Sequence, residues 1–184
     1  FPSDAGCERG RARIENNTVV SDQGTLLRGG SQWYKSIHPD KIAFNLTDAP
    51  FQATVDNNMN AVRIIIGYRP HQGDNWSLSK YVEFIDASVE RCAKFGMYAI
   101  INHMPKPGTY NLNVEKKFWE TVAPRYKDRT HVIYEPMNEP IGWNVNDYHD
   151  QVLRDFETIY QYIRDRAPET MILLLDFAIT DPGM

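Results

Sequence analysis

The chain has 184 residues, 42% of them apolar and 24% charged, with a formal net charge of -4. That composition suits one globular domain over residues 1–184 with a sizeable core, and it excludes a disordered chain. There is no basic cluster and no apolar run near the ~18 residues of a membrane helix, so neither nucleic acid nor a membrane is expected as a partner.

Residues 11–20 alternate as a strand does, Ser21-Asp22-Gln23-Gly24 is a turn signal, and residues 25–31 read as a second strand. Together they predict an N-terminal β-hairpin whose second arm enters the main sheet. Asp48-Ala49-Pro50 sets a cap residue ahead of a first-turn proline and predicts a helix ending near Asn57. Residues 60–67 hold Ala61, Val62, Ile64, Ile65 and Ile66, the pattern of a strand buried on both faces. A long helix is predicted from about Ser77, with Tyr81, Ile85, Val89 and Cys92 on its inner face and Gly96 closing it.

Residues 97–102 predict the next buried strand, and Val114, Phe118, Val122 and Tyr126 mark the helix after it. Residues 131–134 begin a further strand that runs into Glu135-Pro136-Met137-Asn138-Glu139-Pro140. Val152, Phe156, Ile159 and Ile163 mark a fourth helix, and residues 171–175 a last buried strand. Apolar strands alternating with helices argue for a parallel sheet covered by helices. An open doubly wound sheet and part of a barrel fit this pattern equally well. No Gly-rich phosphate loop follows any strand, which argues against a nucleotide site. Cys7 and Cys92 lack metal-site spacing, and no metal or organic cofactor is expected. Cys92 reads as a buried thiol or as one half of a bridge to Cys7.

Two carboxylates and an amide at the end of a buried strand are costly to bury without a purpose, and parallel α/β folds place their sites there. In this position Asn138-Glu139-Pro140 resembles the fourth-strand signature of glycoside hydrolase family 5. Leu27-Arg28-Gly29-Gly30 is similar to that family's first strand and Asn60-Ala61-Val62-Arg63 to its second. Phe95-Gly96-Met97-Tyr98 introduces a third, and Phe118-Trp119 with Arg125-Tyr126-Lys127 resembles its third helix.

The resemblance implies a fold class: α/β, a partial (β/α)8 barrel of about five parallel strands and four helices behind the hairpin. It implies retaining hydrolysis of a β-linked glycan such as glucan, mannan or xyloglucan, with Glu139 as general acid/base and Asn138 on the sugar 2-hydroxyl. Arg63 is an arginine inside an apolar strand and needs an anionic partner, for which Glu135 is available. His103 stands one residue before the family's usual sugar-contacting histidine, where Met104 sits, so it reads either as a substrate contact or as a core histidine. Trp33 and Trp143 are the leading sugar platforms among the loop aromatics Trp33, Tyr34, Tyr68, Trp76, Tyr110 and Trp143; Trp119 reads as core.

The family's nucleophilic glutamate belongs to a seventh strand, which these residues do not include; Asp176 is a poor substitute. The alternative function is therefore a non-catalytic β-glycan-binding half-barrel or an inactive fragment. An unclosed barrel predicts a piece of a longer enzyme, completed by a C-terminal barrel half, or a self-associating chain. A secreted location is the expectation that accompanies a polysaccharide substrate.

Overall fold

The computed structural model describes residues 9–105, 110–139 and 149–174. The fold opens with a small antiparallel hairpin of β1 (Arg13–Glu15) and β2 (Thr18–Val20). It turns on Asn16 and Asn17, whose φ angles are 47° and 60°. A two-residue hairpin turn needs this left-handed geometry, and asparagine tolerates it better than most residues. The expected pairing of residues 11–20 with residues 25–31 is thus corrected. Both hairpin arms lie before Ser21, and only a single bridge, Val20 to Leu26, joins them to the segment that leads into the main sheet.

The main sheet begins with β3 (Gly29–Tyr34), followed by α1 (Pro39–Asn45), α2 (Ala49–Asp56) and β4 (Ala61–Ile66). Then come α3 (Leu78–Lys94), β5 (Tyr98–His103), α4 (Leu112–Tyr126), β6 (Val132–Glu135), α5 (Asp150–Arg164) and β7 (Met171–Ile172). Five α-helices are present among the described residues where four were expected. The additional one, α1, has seven residues and buries only Ile42, so it carries no helical repeat to read. Ser77 caps α3 by accepting the Lys80 N–H, and Asn111 caps α4 by accepting from Asn113 and Val114.

The five strands are parallel and stand in chain order, β3-β4-β5-β6-β7. Their register sorts every side chain onto one of two faces, because successive strand residues point opposite ways. Tyr34, Ile66 and His103 share the face covered by helices. There the larger core gathers Tyr34, Phe51, Ile64, Ile66, Phe84, Phe118, Trp119 and Tyr134. Ser31, Arg63, Ile100 and Ile133 share the other face, and Trp33, Ile65, Asn102 and Glu135 form the layer above them. The lower part of that inner face is closed by a second cluster of Ala12, Ala61, Tyr98 and Ile133, so the hairpin segment plugs the N-terminal end of the sheet. The Tyr98 hydroxyl ties it down, donating to the Gly10 carbonyl at 2.8 Å and accepting the Asp22 N–H at 2.8 Å.

Gly29 is fixed by closeness to its neighbour strand: a Cβ there would lie 2.1 Å from the Ala61 carbonyl oxygen. Cys92 is a buried free thiol, and Cys7 lies outside the described residues. Trp119 is fully buried in the core, as its helical position implied. Among the described residues no helix is long and apolar enough to cross a membrane.

Candidate active site

The site lies at the C-terminal edge of the sheet, where β6 ends. The backbone leaves the strand after Glu135, and Met137 and Glu139 both take left-handed conformations, with φ of 52° and 48°. Such angles cost about 1–2 kcal/mol for a residue with a side chain. Their effect is to turn the chain out of extended strand geometry. Met137 turns fully inward, Asn138 is held below the rim, and Glu139 stays partly exposed. The Asn138 N–H donates to the His103 carbonyl at 3.0 Å, which pins this turn to the end of β5.

Arg63 organises the turn from two strands away. Its Nε donates to Glu135 Oε2 at 2.6 Å and its Nη2 to Glu135 Oε1 at 2.5 Å, a bidentate pair. The same Nη2 donates to Asn138 Oδ1 at 2.6 Å. Glu135 is thus the partner that a guanidinium inside an apolar strand required. The contact also sets the Asn138 amide with its oxygen toward Arg63, which leaves its Nδ2 hydrogens uncommitted to the guanidinium.

Two further residues belong to this site that the sequence reading passed over. Asn102 stands opposite Glu135 in the register, fully buried, and its Nδ2 donates to the Glu135 carbonyl at 3.1 Å. Its Oδ1 is buried without a partner among the described residues. The signal for it was parity: Asn102 shares a strand face with Ile100, the register partner of Arg63. Lys35, in the loop after β3, is the other. Burial and the nearby Arg69 charge push its pKa down to about 8, against an opposing pull from the Glu139 carboxylate.

His103 is not where a sugar contact would be. It faces the helices, is 1% exposed, and has both ring nitrogens occupied: Nδ1 by Glu115 Oε1 at 2.8 Å and Nε2 by the Tyr68 carbonyl at 2.9 Å. Its ring stacks on Phe118 with centroids 4.5 Å apart. The expected substrate contact is corrected to a core histidine whose backbone carbonyl holds Asn138. The aromatic platforms narrow in the same way. Tyr34 and Tyr68 are core residues, Trp76 packs on Tyr81 and Phe84, and Tyr110 donates its hydroxyl to Asp155. Trp33 is 41% exposed on the inner face of β3 and remains open to a ligand. Trp143 and Asp176 lie outside the described residues. Among the described residues no group of three His, Cys, Asp or Glu side chains could hold a metal ion.

A parallel sheet bearing a carboxylate, an amide and a buried arginine clamp at its C-terminal edge invites comparison with known families. The description of Cellulase (glycosyl hydrolase family 5) matches residues 18–177. The chain belongs to glycosyl hydrolase family 5.

Among its relatives, the chain is 26% identical over 178 residues to Endoglucanase E-5 of Thermobifida fusca, an alignment covering 90% of this chain and 35% of that protein. It is 25% identical over 157 residues to a β-xylosidase of Phanerodontia chrysosporium, covering 72% of this chain and 32% of the relative. The chain thus spans about a third of the length of these two proteins. A crystal structure of a β-glucanase from Saccharophagus degradans in complex with cellotetraose superimposes with a TM-score of 0.69 at 18% identity, covering 97% of this chain and 58% of the other. In family 5 terms the strands β3 to β7 are the first five of a (β/α)8 barrel, and Glu139 follows the fourth.

Proposed function

We propose that these residues carry the acid/base side of a retaining β-glycan hydrolase site, with Glu139 as the general acid/base. The observation that carries the reading is the Arg63 clamp, which holds Glu135 and Asn138 below the rim and leaves Glu139 as the partly exposed carboxylate of the turn. Glu139 would protonate the departing glycosidic oxygen and then take the proton of the attacking water. The Asn138 Nδ2 hydrogens would donate to the sugar 2-hydroxyl oxygen, a contact that strengthens as the ring approaches the oxocarbenium-like transition state. Trp33 would offer its ring face to a pyranose. His103 and Asn102 act as positioning residues, through a carbonyl and through the β6 backbone. Retention needs a second carboxylate about 5.5 Å from the first, as nucleophile. In this reading a later barrel strand supplies it. A secreted location accords with a polymeric substrate.

The test is release of reducing ends from carboxymethylcellulose, mixed-linkage β-glucan and mannan by a form of the enzyme that carries the later barrel strands with the nucleophile, with and without Glu139→Gln. Turnover should fall at least ~100-fold in the variant, the loss expected for a general acid. An aryl cellobioside with a good leaving group needs no acid for its first step, so Glu139→Gln should keep most of its burst on that substrate. An equal loss on both substrates would assign Glu139 another role.

A further inference from the structure

At the same C-terminal edge of the sheet the loops after β3 and β4 enclose a cleft of about 310 Å³, lined by residues that include Lys35, Ser36, Gly67, Arg69, Gly73 and Asp74. Its chemistry is unlike that of a neutral-sugar pocket. Lys35 and Arg69 both enter it, and the charge of each is disfavoured by burial. Among the described residues the Lys35 ammonium makes no ion pair and no hydrogen bond; it lies over the Trp33 ring, 3.9 Å from the centroid. Arg69 donates its Nε to the Met104 carbonyl at 3.0 Å and an Nη to the Pro105 carbonyl at 3.1 Å, both neutral acceptors, and its charge is offset in part by the Asp74 carboxylate in the same cleft.

Asp74, the carboxylate in the cleft wall, is fixed by its own loop and keeps its charge beside Arg69. Its Oδ2 accepts the Arg69 N–H at 3.1 Å and the Tyr81 hydroxyl at 2.7 Å, and its Oδ1 accepts the Trp76 N–H at 3.1 Å. The floor is built for a long cation as well. A Cβ on Gly67 would lie 2.7 Å from Lys35 Cγ, so the lysine stem runs over the glycine. Two cations brought together in a half-buried cleft repel one another. The Asp74 carboxylate offsets the charge of Arg69, and a second anion would offset that of Lys35.

We propose that this cleft is a subsite for an acidic sugar, in which Lys35 and Arg69 take the carboxylate of a hexuronic acid residue of the glycan bound across Glu139. The proposal rests on the reading of Glu139 as the acid/base of a glycan hydrolase. Its location argues for a substituent on the substrate over a free anion. Lys35 feels the Glu139 charge, and its ammonium lies over one face of the Trp33 ring, so a pyranose would stack on the opposite face. An arginine fork and a point-charge lysine together suit a carboxylate.

Isothermal titration of the 184-residue chain with cellotetraose, with cellotetraose oxidised to the uronate at C6, and with inorganic phosphate tests it. The uronate should bind about tenfold tighter than the neutral sugar near pH 6.5, the scale of one charge-assisted contact. That preference should vanish in Lys35→Met and fall in Arg69→Met. It should also shrink between pH 7 and pH 9.5 as the Lys35 ammonium, with its pKa of about 8, loses its proton. The charged groups that set this titration are Arg69 and Asp74 in the cleft, Glu139 outside it, and His38, Asp40 and Lys41 in the neighbouring groove. Equal affinity for the two tetrasaccharides, or a preference that survives Lys35→Met, overturns the acidic subsite and leaves the glycan reading standing. Binding of neither tetrasaccharide overturns both. Phosphate binding that depends on Lys35 without discrimination between the sugars assigns the cleft to free anions and also overturns the proposal.

Discussion

Arg63 does two jobs with one guanidinium, and its substitutions separate them. Arg63→Met leaves the Glu135 carboxylate, 11% exposed, without its partner. Loss of one member of a buried pair costs about 3–5 kcal/mol, and urea unfolding should read a drop of that order. Arg63→Lys keeps the charge but not the fork, so it should cost less stability and still release Asn138 from its orientation. The signature is a turnover loss larger than the stability loss explains. Lys35 makes a prediction of opposite sign to most charged residues. Its folded pKa, about 8, lies below the ordinary lysine value of 10.5. Between those values the unfolded chain binds more protons than the folded one, so stability rises with pH across that window. Wild type should therefore gain stability relative to Lys35→Met from pH 8 to pH 10.5, measured as the difference between the two proteins' unfolding free energies. At this scale the Arg63 to Glu135 pair was legible because an arginine breaks an apolar strand, and Asn138 and Glu139 stood out as polar residues just past a strand's end. The sequence left open the side on which His103 falls, because one position of parity moves a side chain from the inner face of the sheet to the helix face.

At the scale of elements, the buried strands and the long amphipathic helices were legible because their burial repeats in the sequence. What escaped was short. Helix α1 buries one residue, and the hairpin turn at Asn16 and Asn17 is a two-residue signal beside the louder Ser21-Asp22-Gln23-Gly24. The departure of the chain after Glu135 was also hidden, since the left-handed angles at Met137 and Glu139 fall on residues that do not advertise them. The contact between β3 and β4 gives a sharp test. Gly29→Ala would set a methyl 2.1 Å from the Ala61 carbonyl oxygen, whereas Gly30→Ala meets nothing within 4 Å. Gly29→Ala should therefore lose at least about 2 kcal/mol, the scale of overpacking against a backbone that cannot yield. Gly30→Ala should be neutral or gain a few tenths of a kcal/mol through lost freedom of the unfolded chain. Thermal unfolding of the two variants side by side checks the pair. Similar losses would mean that β3 can slide away from β4.

Across the whole molecule, order in the sheet is order in the sequence. Strands β3, β4, β5, β6 and β7 begin at residues 29, 61, 98, 132 and 171, and each pairs with the one just before it. A ribosome delivering about 5–20 residues per second releases such a unit every few seconds. Each new strand thus emerges onto an edge that its predecessor has already made. The hairpin segment that plugs the N-terminal end leaves the ribosome before all five strands, ahead of the Tyr98 hydroxyl that ties it down. The direction of synthesis and the direction of the sheet are the same.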